Sequence, residues 1–380
     1  MRRIKNQLNC KDILEVKTLK NKLKLSQIQK YVLLIFIYFV VASASFQGYF
    51  SRWGFYNGSA WSIDGIFDQT AFKPMVNRQL IPEIAKAIDQ KAPPIVKQKV
   101  SEQFLLHIDR VYKMKKSLNS IYTFRYFIVY VISFFCLMIS MFLLRKLCIN
   151  ITKDSASSTL APICLALSFP LFQNRGGYFY DYSELMFFAL VMLLAYHKKL
   201  LWIILLLPIA TLNKESFPLF VITLIPIIKN LVSRKRLVIF IFFSTLISII
   251  VDVFISNHYK GSQSIYPMFY RFLENLKFYP NPFNYLFLEY HPFYSVIAPA
   301  GLSIFFIFIV YTIVSKSWSS LSTPIKQHTL IALLITIPLM ILFCNKDELR
   351  NLSLLYVSFT IMIAFYIKNL LQQNNNRMEN

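Results

Sequence analysis

Residues 122–144 read YTFRYFIVYVISFFCLMISMFLL and are closed by Arg145-Lys146. A run of this kind, rising about 1.5 Å per residue as a helix, crosses the roughly 30 Å hydrocarbon layer of a bilayer. The pattern recurs along the chain as apolar runs of about 15–20 residues separated by short polar islands. The 380 residues are 56% hydrophobic and 16% charged, with mean hydropathy +0.49. That balance excludes a soluble globule. Abundant Phe (36) and Tyr (22) suit lipid-facing surfaces and interfacial belts. The expectation is an all-α polytopic membrane protein of about ten transmembrane helices, with both termini in the cytoplasm.

Residues 1–30 hold nine Lys/Arg against two acids and read as a basic cytoplasmic lead-in. Residues 31–367 form a single transmembrane domain, and 368–380 a polar cytoplasmic tail. The expected spans are 31–50, 122–144, 159–172, a fourth ending at His197, 200–212, 217–228, 237–256, 295–314, 329–344 and 352–367. Outer loops then cover 51–121 and 257–294, the first with amphipathic interfacial helices. Val41-Ala42-Ser43-Ala44 resembles a signal-peptidase site, but the long basic lead-in and full-length apolar run favour a retained anchor. Arg145-Lys146, His197-Lys198-Lys199 and Arg234-Lys235-Arg236 follow spans on the inner side, as the positive-inside rule requires. The net charge of +23 is thus spread through juxtamembrane clusters. It fits contact with anionic lipid, not a nucleic-acid partner. All acids except Asp12, Glu15, Asp154 and Glu379 fall in or at the ends of outward segments, so every plausible catalytic group shares one face. Usage rich in Lys, Asn, Ile and Phe points to an AT-rich bacterial genome, and hence to a bacterial inner membrane.

Several chemistries find no footing. Cys10 and Cys148 are cytoplasmic, Cys136 and Cys164 lie within spans, and Cys344 alone approaches the outside, so no structural disulfide is expected. His107, His197, His258, His291 and His328 are scattered, which disfavours a zinc site. Eight glycines supply no glycine-rich phosphate loop.

The first outer loop is richer. In Ser62-Ile63-Asp64-Gly65-Ile66-Phe67-Asp68-Gln69, a helix would put Asp64 and Asp68 on one face. Two such carboxylates can share a proton and make a general base, or ligate a divalent cation. The plainer alternative is a helix cap and a solvated turn acid. Leu80, Ile81, Ile84, Ala85 and Ile88 then share a helical face, Pro93-Pro94 breaks it, and Val96, Val100, Phe104, Ile108 and Val111 make a second. Both stretches should lie in the outer interface, with Glu83, Asp89, Glu102 and Asp109 solvated. Arg78, just before them, can bind phosphate or snorkel.

Further along, Asn213-Lys214-Glu215-Ser216 separates two runs too short to span hydrocarbon unaided. The island is therefore drawn into the outer leaflet and buried against protein or a wet cavity. Intramembrane ionisable residues suggest function, although Lys214 and Glu215 can also neutralise each other or outside partners. Two more islands carry Arg175, Asp181 and Glu184, and Asp347, Glu348 and Arg350. Alone, each reads more readily as a loop salt bridge than as a site. Together they define the candidate binding set, Arg78, Arg175, Asp181, Glu184, Asn213, Lys214, Glu215, Glu348 and Arg350, with Asp64 and Asp68 as catalytic candidates.

The plan resembles the GT-C type of integral-membrane glycosyltransferase. Phe72-Lys73-Pro74-Met75-Val76-Asn77-Arg78-Gln79-Leu80-Ile81-Pro82 is similar to an aromatic–Arg–Leu–x–Pro pattern of bacterial members. Ala210-Thr211-Leu212-Asn213-Lys214-Glu215-Ser216 resembles their Asn-(Arg/Lys)-Glu turn, and Glu348-Leu349-Arg350 their late Glu-x-Arg. The resemblance implies an inverting transfer from a polyprenyl-phosphate-linked sugar to a glycan or lipid-linked acceptor. It also implies a first-loop aspartate as base, here Asp64 or Asp68, although no clear Asp-Asp or Glu-x-Asp pair is present. Two rivals remain. An O-antigen or capsule polymerase would want an arginine-rich second outer loop, and residues 263–294 carry only Arg271 and Lys277. A lipid-linked-glycan flippase would want an inverted repeat or ionisable residues from both sides, and neither is evident.

Overall fold

Lys153 and Asp154 show how short polar islands set the helix ends. Lys153 adopts a left-handed conformation (φ 59°) and stops one helix, and the Asp154 side chain accepts from Ser157 N at 2.7 Å to start the next. A computed structural model describes residues 27–50, 63–111, 120–173, 178–259, 262, 270–291 and 296–378. In chain order the helices begin with α1 (Gln27–Phe50), α2 (Ile63–Phe67), α3 (Leu80–Lys91), α4 (Pro94–Val111) and α5 (Thr123–Thr152). They continue with α6 (Ser155–Phe172), α7 (Tyr180–Tyr196), α8 (Leu200–Asn213), α9 (Phe217–Thr223) and α10 (Ile225–Lys229). The last are α11 (Arg234–His258), α12 (Phe272–Phe278), α13 (Ile304–Ser317), α14 (Thr323–Phe343) and α15 (Tyr356–Met378). Strands β1 (Leu288–His291) and β2 (Val296–Pro299) form an antiparallel hairpin, with Leu288 opposite Pro299.

Six of these segments are long and apolar enough to cross a membrane: α1, α5, α6, α11, α14 and the stretch Leu349–Gln373. Two shorter apolar helices, α8 and α13, accompany them. The chain is a multi-pass integral membrane protein. α5 is its centre, packed against α6, α7, α15 and the amphipathic helices α3 and α4. A chain of aromatic contacts joins four helices around fully buried Tyr182. Its ring lies 5.1 Å from Phe46, 5.2 Å from Tyr49 and 5.2 Å from Phe169, while Phe46 meets Tyr130 edge-on at 4.9 Å. Gly48 lets α1 close on α6, since a Cβ there would sit 3.1 Å from Pro170 Cγ.

Three expectations need revision. The run 217–228 is two helices, not one, because Pro226 cannot donate to the carbonyl of Ile222 and the ladder breaks at Leu224. The run 295–314 starts as strand β2, and α13 begins only at Ile304, where Ser303 caps Phe306 N at 3.3 Å. Asp89 is not a solvated surface acid. It binds Arg125 Nε of α5 at 2.9 Å and Lys97 of α4 at 3.1 Å, tying both amphipathic helices to the bundle. Burial opposes its ionisation, and hydrogen bonds from these two cations outweigh it, so its carboxyl stays below the ordinary range.

The bundle has two distinct polar ends. At one, Lys368 Nζ donates to Thr152 O at 2.7 Å and Tyr196 to Asn150 O at 3.0 Å. At the other lie the starts of α5, α7 and α15 and the ends of α6, α8 and α14, which hold most of the charged residues singled out above.

Candidate active site

Tyr178-Phe179 leads into α7 at Tyr180-Asp181, and Asp181 Oδ2 accepts from Tyr178 N at 3.0 Å. One helical turn later comes Glu184, and both carboxylates are only 3% exposed. Buried charges need partners, and α8 supplies one. It ends where Lys214 leaves the helical region (φ −163°, ψ 135°), which sends the side chain back over α7. Lys214 Nζ lies 2.6 Å from Glu184 Oε2 and 3.4 Å from Asp181 Oδ1. The other Glu184 oxygen accepts from Ser216 at 2.5 Å and from Ser353 at 3.0 Å. Asn213 fixes the two helix ends together, donating to Tyr180 O at 3.2 Å and accepting from Ser183 at 2.5 Å.

Arg78 and Arg350 flank this pair. Arg78, buried after the 3-10 turn Met75–Asn77, grips Glu215 with both sides of its fork, Nε reaching Oε2 at 2.9 Å and Nη2 reaching Oε1. Its Nη1 donates to the Tyr180 hydroxyl. Arg350 binds Glu348 Oε1 at 2.6 and 3.0 Å, and its Nη1 lies 3.6 Å from Asp181. Glu348 in turn accepts from Asn345 N at 3.1 Å. Tyr178 and Tyr180 stack with centroids 5.1 Å apart and planes 6° from parallel. Arg350 sits 4.6 Å from the first ring and Arg78 4.5 Å from the second. Glu215 stands apart in one respect. Its side chain is 40% exposed, whereas Arg78 is 6% exposed. Partial burial opposes ionisation of Glu215, and the Arg78 guanidinium overcomes it, holding the carboxyl below its ordinary value.

Asp64 and Asp68 occupy a neighbouring setting. Asp64, half-buried on α2, accepts from the Tyr126 hydroxyl, and exposed Asp68 accepts from Tyr122. Both tyrosines belong to the start of α5, so the two acids do share a side. Among the described residues no cation pairs with either. Burial pushes the Asp64 carboxyl up, the Tyr126 hydrogen bond opposes it, and the Asp68 charge raises it further. The link to the larger cluster is Gln79, next to Arg78, whose amide donates to Ile66 O at 3.3 Å and Val76 O at 2.7 Å.

Eight of the candidate residues thus form one connected network: Arg78, Asp181, Glu184, Asn213, Lys214, Glu215, Glu348 and Arg350. Asp64 and Asp68 lie beside it without joining it, and Arg175 lies outside the described residues. Sequence reasoning missed the tyrosines that hold the aspartates, the Tyr178–Tyr180 stack and Ser353. Tyr122 and Tyr126 fell in the apolar run read as a span and were not singled out. Only their spacing of four, matching that of Asp64 and Asp68, carried a signal. Among the described residues no group of three or more His, Cys, Asp or Glu is arranged to hold a metal ion. The chain matches no family model, no curated protein and no solved structure.

Proposed function

We propose that this protein is an inverting membrane glycosyltransferase that moves a sugar from a polyprenyl-phosphate donor to a glycan or lipid-linked acceptor. In this reading about ten crossings leave both termini in the cytoplasm of a bacterial cell. The charged end of the bundle then faces outward. One observation supports the reading most. A half-buried carboxylate that pairs with no cation among the described residues lies beside a network in which three cations from widely separated parts of the chain are held by four carboxylates. The first is suited to accept a proton, and the second to steady an anionic leaving group.

The acceptor hydroxyl gives its proton to Asp64, with Asp68 as its neighbour. The acceptor oxygen bonds to the anomeric carbon as the carbon–oxygen bond to the lipid phosphate breaks, inverting the centre once. The lipid phosphate leaves with the electron pair, its charge met by Arg78, Lys214 or Arg350. The polymerase alternative loses ground because Arg271, one of two cations in that loop, is engaged by Glu274 at 2.7 Å. The test is transfer in proteoliposomes supplied with defined polyprenyl-phosphate sugars and acceptors. Label should reach the acceptor with the wild type. If the Asp64→Asn, Asp68→Asn and double variants all transfer at the wild-type rate, the assignment of the base is wrong.

A further inference from the structure

The bond between Arg78 and Glu215 joins unequal partners. Arg78 is fixed on three sides, by Tyr180 beneath it, by Met75 Sδ at 3.4 Å, and by its own place in the 3-10 turn. Glu215 touches it from the open side and is the most solvent-exposed charged group of the network. The carboxylate presents two oxygens to the fork in the manner in which a phosphate would. The remaining carboxylates are held by second partners: Glu184 by two serines, Asp181 and Glu348 by backbone N–H groups. Among the described residues the only side chain that hydrogen-bonds the Glu215 carboxylate is Arg78, its other donor being its own backbone N–H.

We propose that Glu215 is an internal occupant of an anion subsite on Arg78, and that a phosphate-bearing ligand binds there by displacing it. The turn that carries Glu215 allows this. Its neighbours Lys214 and Ser216 are anchored on Glu184, so the backbone is held while the Glu215 side chain alone swings out. Displacement exchanges one anion for another on Arg78, and the buried guanidinium is never left bare. The site therefore rests closed and opens only to a ligand that can replace both carboxylate oxygens. For the source of the phosphate this rests on the glycosyl-transfer reading, where it belongs to the lipid carrier.

The experiment is calorimetric titration of the purified full-length protein in nanodiscs with inorganic phosphate, at fixed ionic strength against chloride. Glu215→Gln should bind phosphate at least about tenfold more tightly than wild type, each tenfold corresponding to 1.4 kcal/mol of competition removed. Arg78→Gln should abolish the binding. Should Glu215→Gln fail to fold, Glu215→Asp keeps the charge but shortens the reach, and a smaller gain is expected. Equal or weaker phosphate affinity in a folded Glu215 variant overturns the proposal, as does unchanged binding in Arg78→Gln. These titrations involve no sugar and no acceptor. Absence of transfer by the wild type with intact phosphate competition condemns the glycosyl-transfer reading alone, and wild-type transfer without phosphate competition condemns the displacement alone.

Discussion

The aspartates on and just after α2 and the carboxylates around Lys214 are two solutions to one problem, an acid at the end of an apolar helix bundle. Around Lys214 the solution is countercharge. Asp181, Glu184, Glu215 and Glu348 each face a lysine or arginine. At α2 and the turn after it the partners are neutral phenols, Tyr126 for Asp64 and Tyr122 for Asp68. A cation fixes the ionised state and commits the acid to architecture. A phenol leaves the proton negotiable. The more deeply buried, charge-paired cluster is accordingly the poorer place to look for a base.

The sharpest way to break this contrast is Asp64→Asn. In the proteoliposome assay it should cost about 10²–10⁴-fold in transfer rate while leaving thermal stability nearly unchanged. Lys214→Met should do the reverse. It leaves two buried carboxylates without their shared cation and should destabilise the fold by about 3–5 kcal/mol, read by thermal unfolding in detergent. A third test uses pH. A base must be ionised, so transfer should rise with pH through a limb set above the ordinary carboxylate range. Tyr126→Phe removes a hydrogen bond to the charged form and should move that limb to higher pH. Asp68→Asn removes a repelling charge and should move it lower. Stability should respond oppositely at the two sites. Asp64, with its folded value raised, favours the folded state most below its unfolded value. That advantage fades as pH climbs through the window up to the folded value. Glu215, with its folded value lowered, contributes fully above its unfolded value and loses that contribution as pH falls through the folded one. Smaller still, Ser353→Ala takes one donor from a carboxylate that keeps others, and should cost about 1 kcal/mol. The smallest effect belongs to Glu83→Gln. Its exposed pair with Lys86, at 3.4 Å, should be worth about 0.3 kcal/mol or nothing measurable.

Much of this was legible beforehand, for identifiable reasons. Apolar length announces a helix in a bilayer, so α1, α6 and α11 could be placed within about four residues, while α5 and α14 run six to eight residues beyond their apolar cores at the basic ends. Charged islands between such runs must find one another, and three of them did. What failed was local stereochemistry inside apolar runs. Pro226 breaks a helix that hydrophobicity alone cannot divide, and β2 hides in residues as apolar as the helix after it. The pairing of charges was also beyond reach. Glu215 could have paired with adjacent Lys214 or with an outside partner, and helix termination at Lys214 decides for the second by turning the two side chains apart, toward α7 and toward Arg78. Asp89 looked solvated because its partner Arg125 lies 36 positions away.

The bond between Lys214 and the acids of α7 has a consequence for biosynthesis. α7 carries Asp181 and Glu184 near the membrane, and an unpaired charge at mid-bilayer costs about 2.5–3.5 kcal/mol on insertion scales, less toward a helix end. The cation that relieves this follows 33 and 30 residues behind, at the end of the very next helix. The two helices are thus expected to enter the bilayer together as a hairpin. A nascent chain released after α7 should be membrane-inserted less completely than one released after α8. Lys214 would then have served the chain once, during its making, before any ligand arrives.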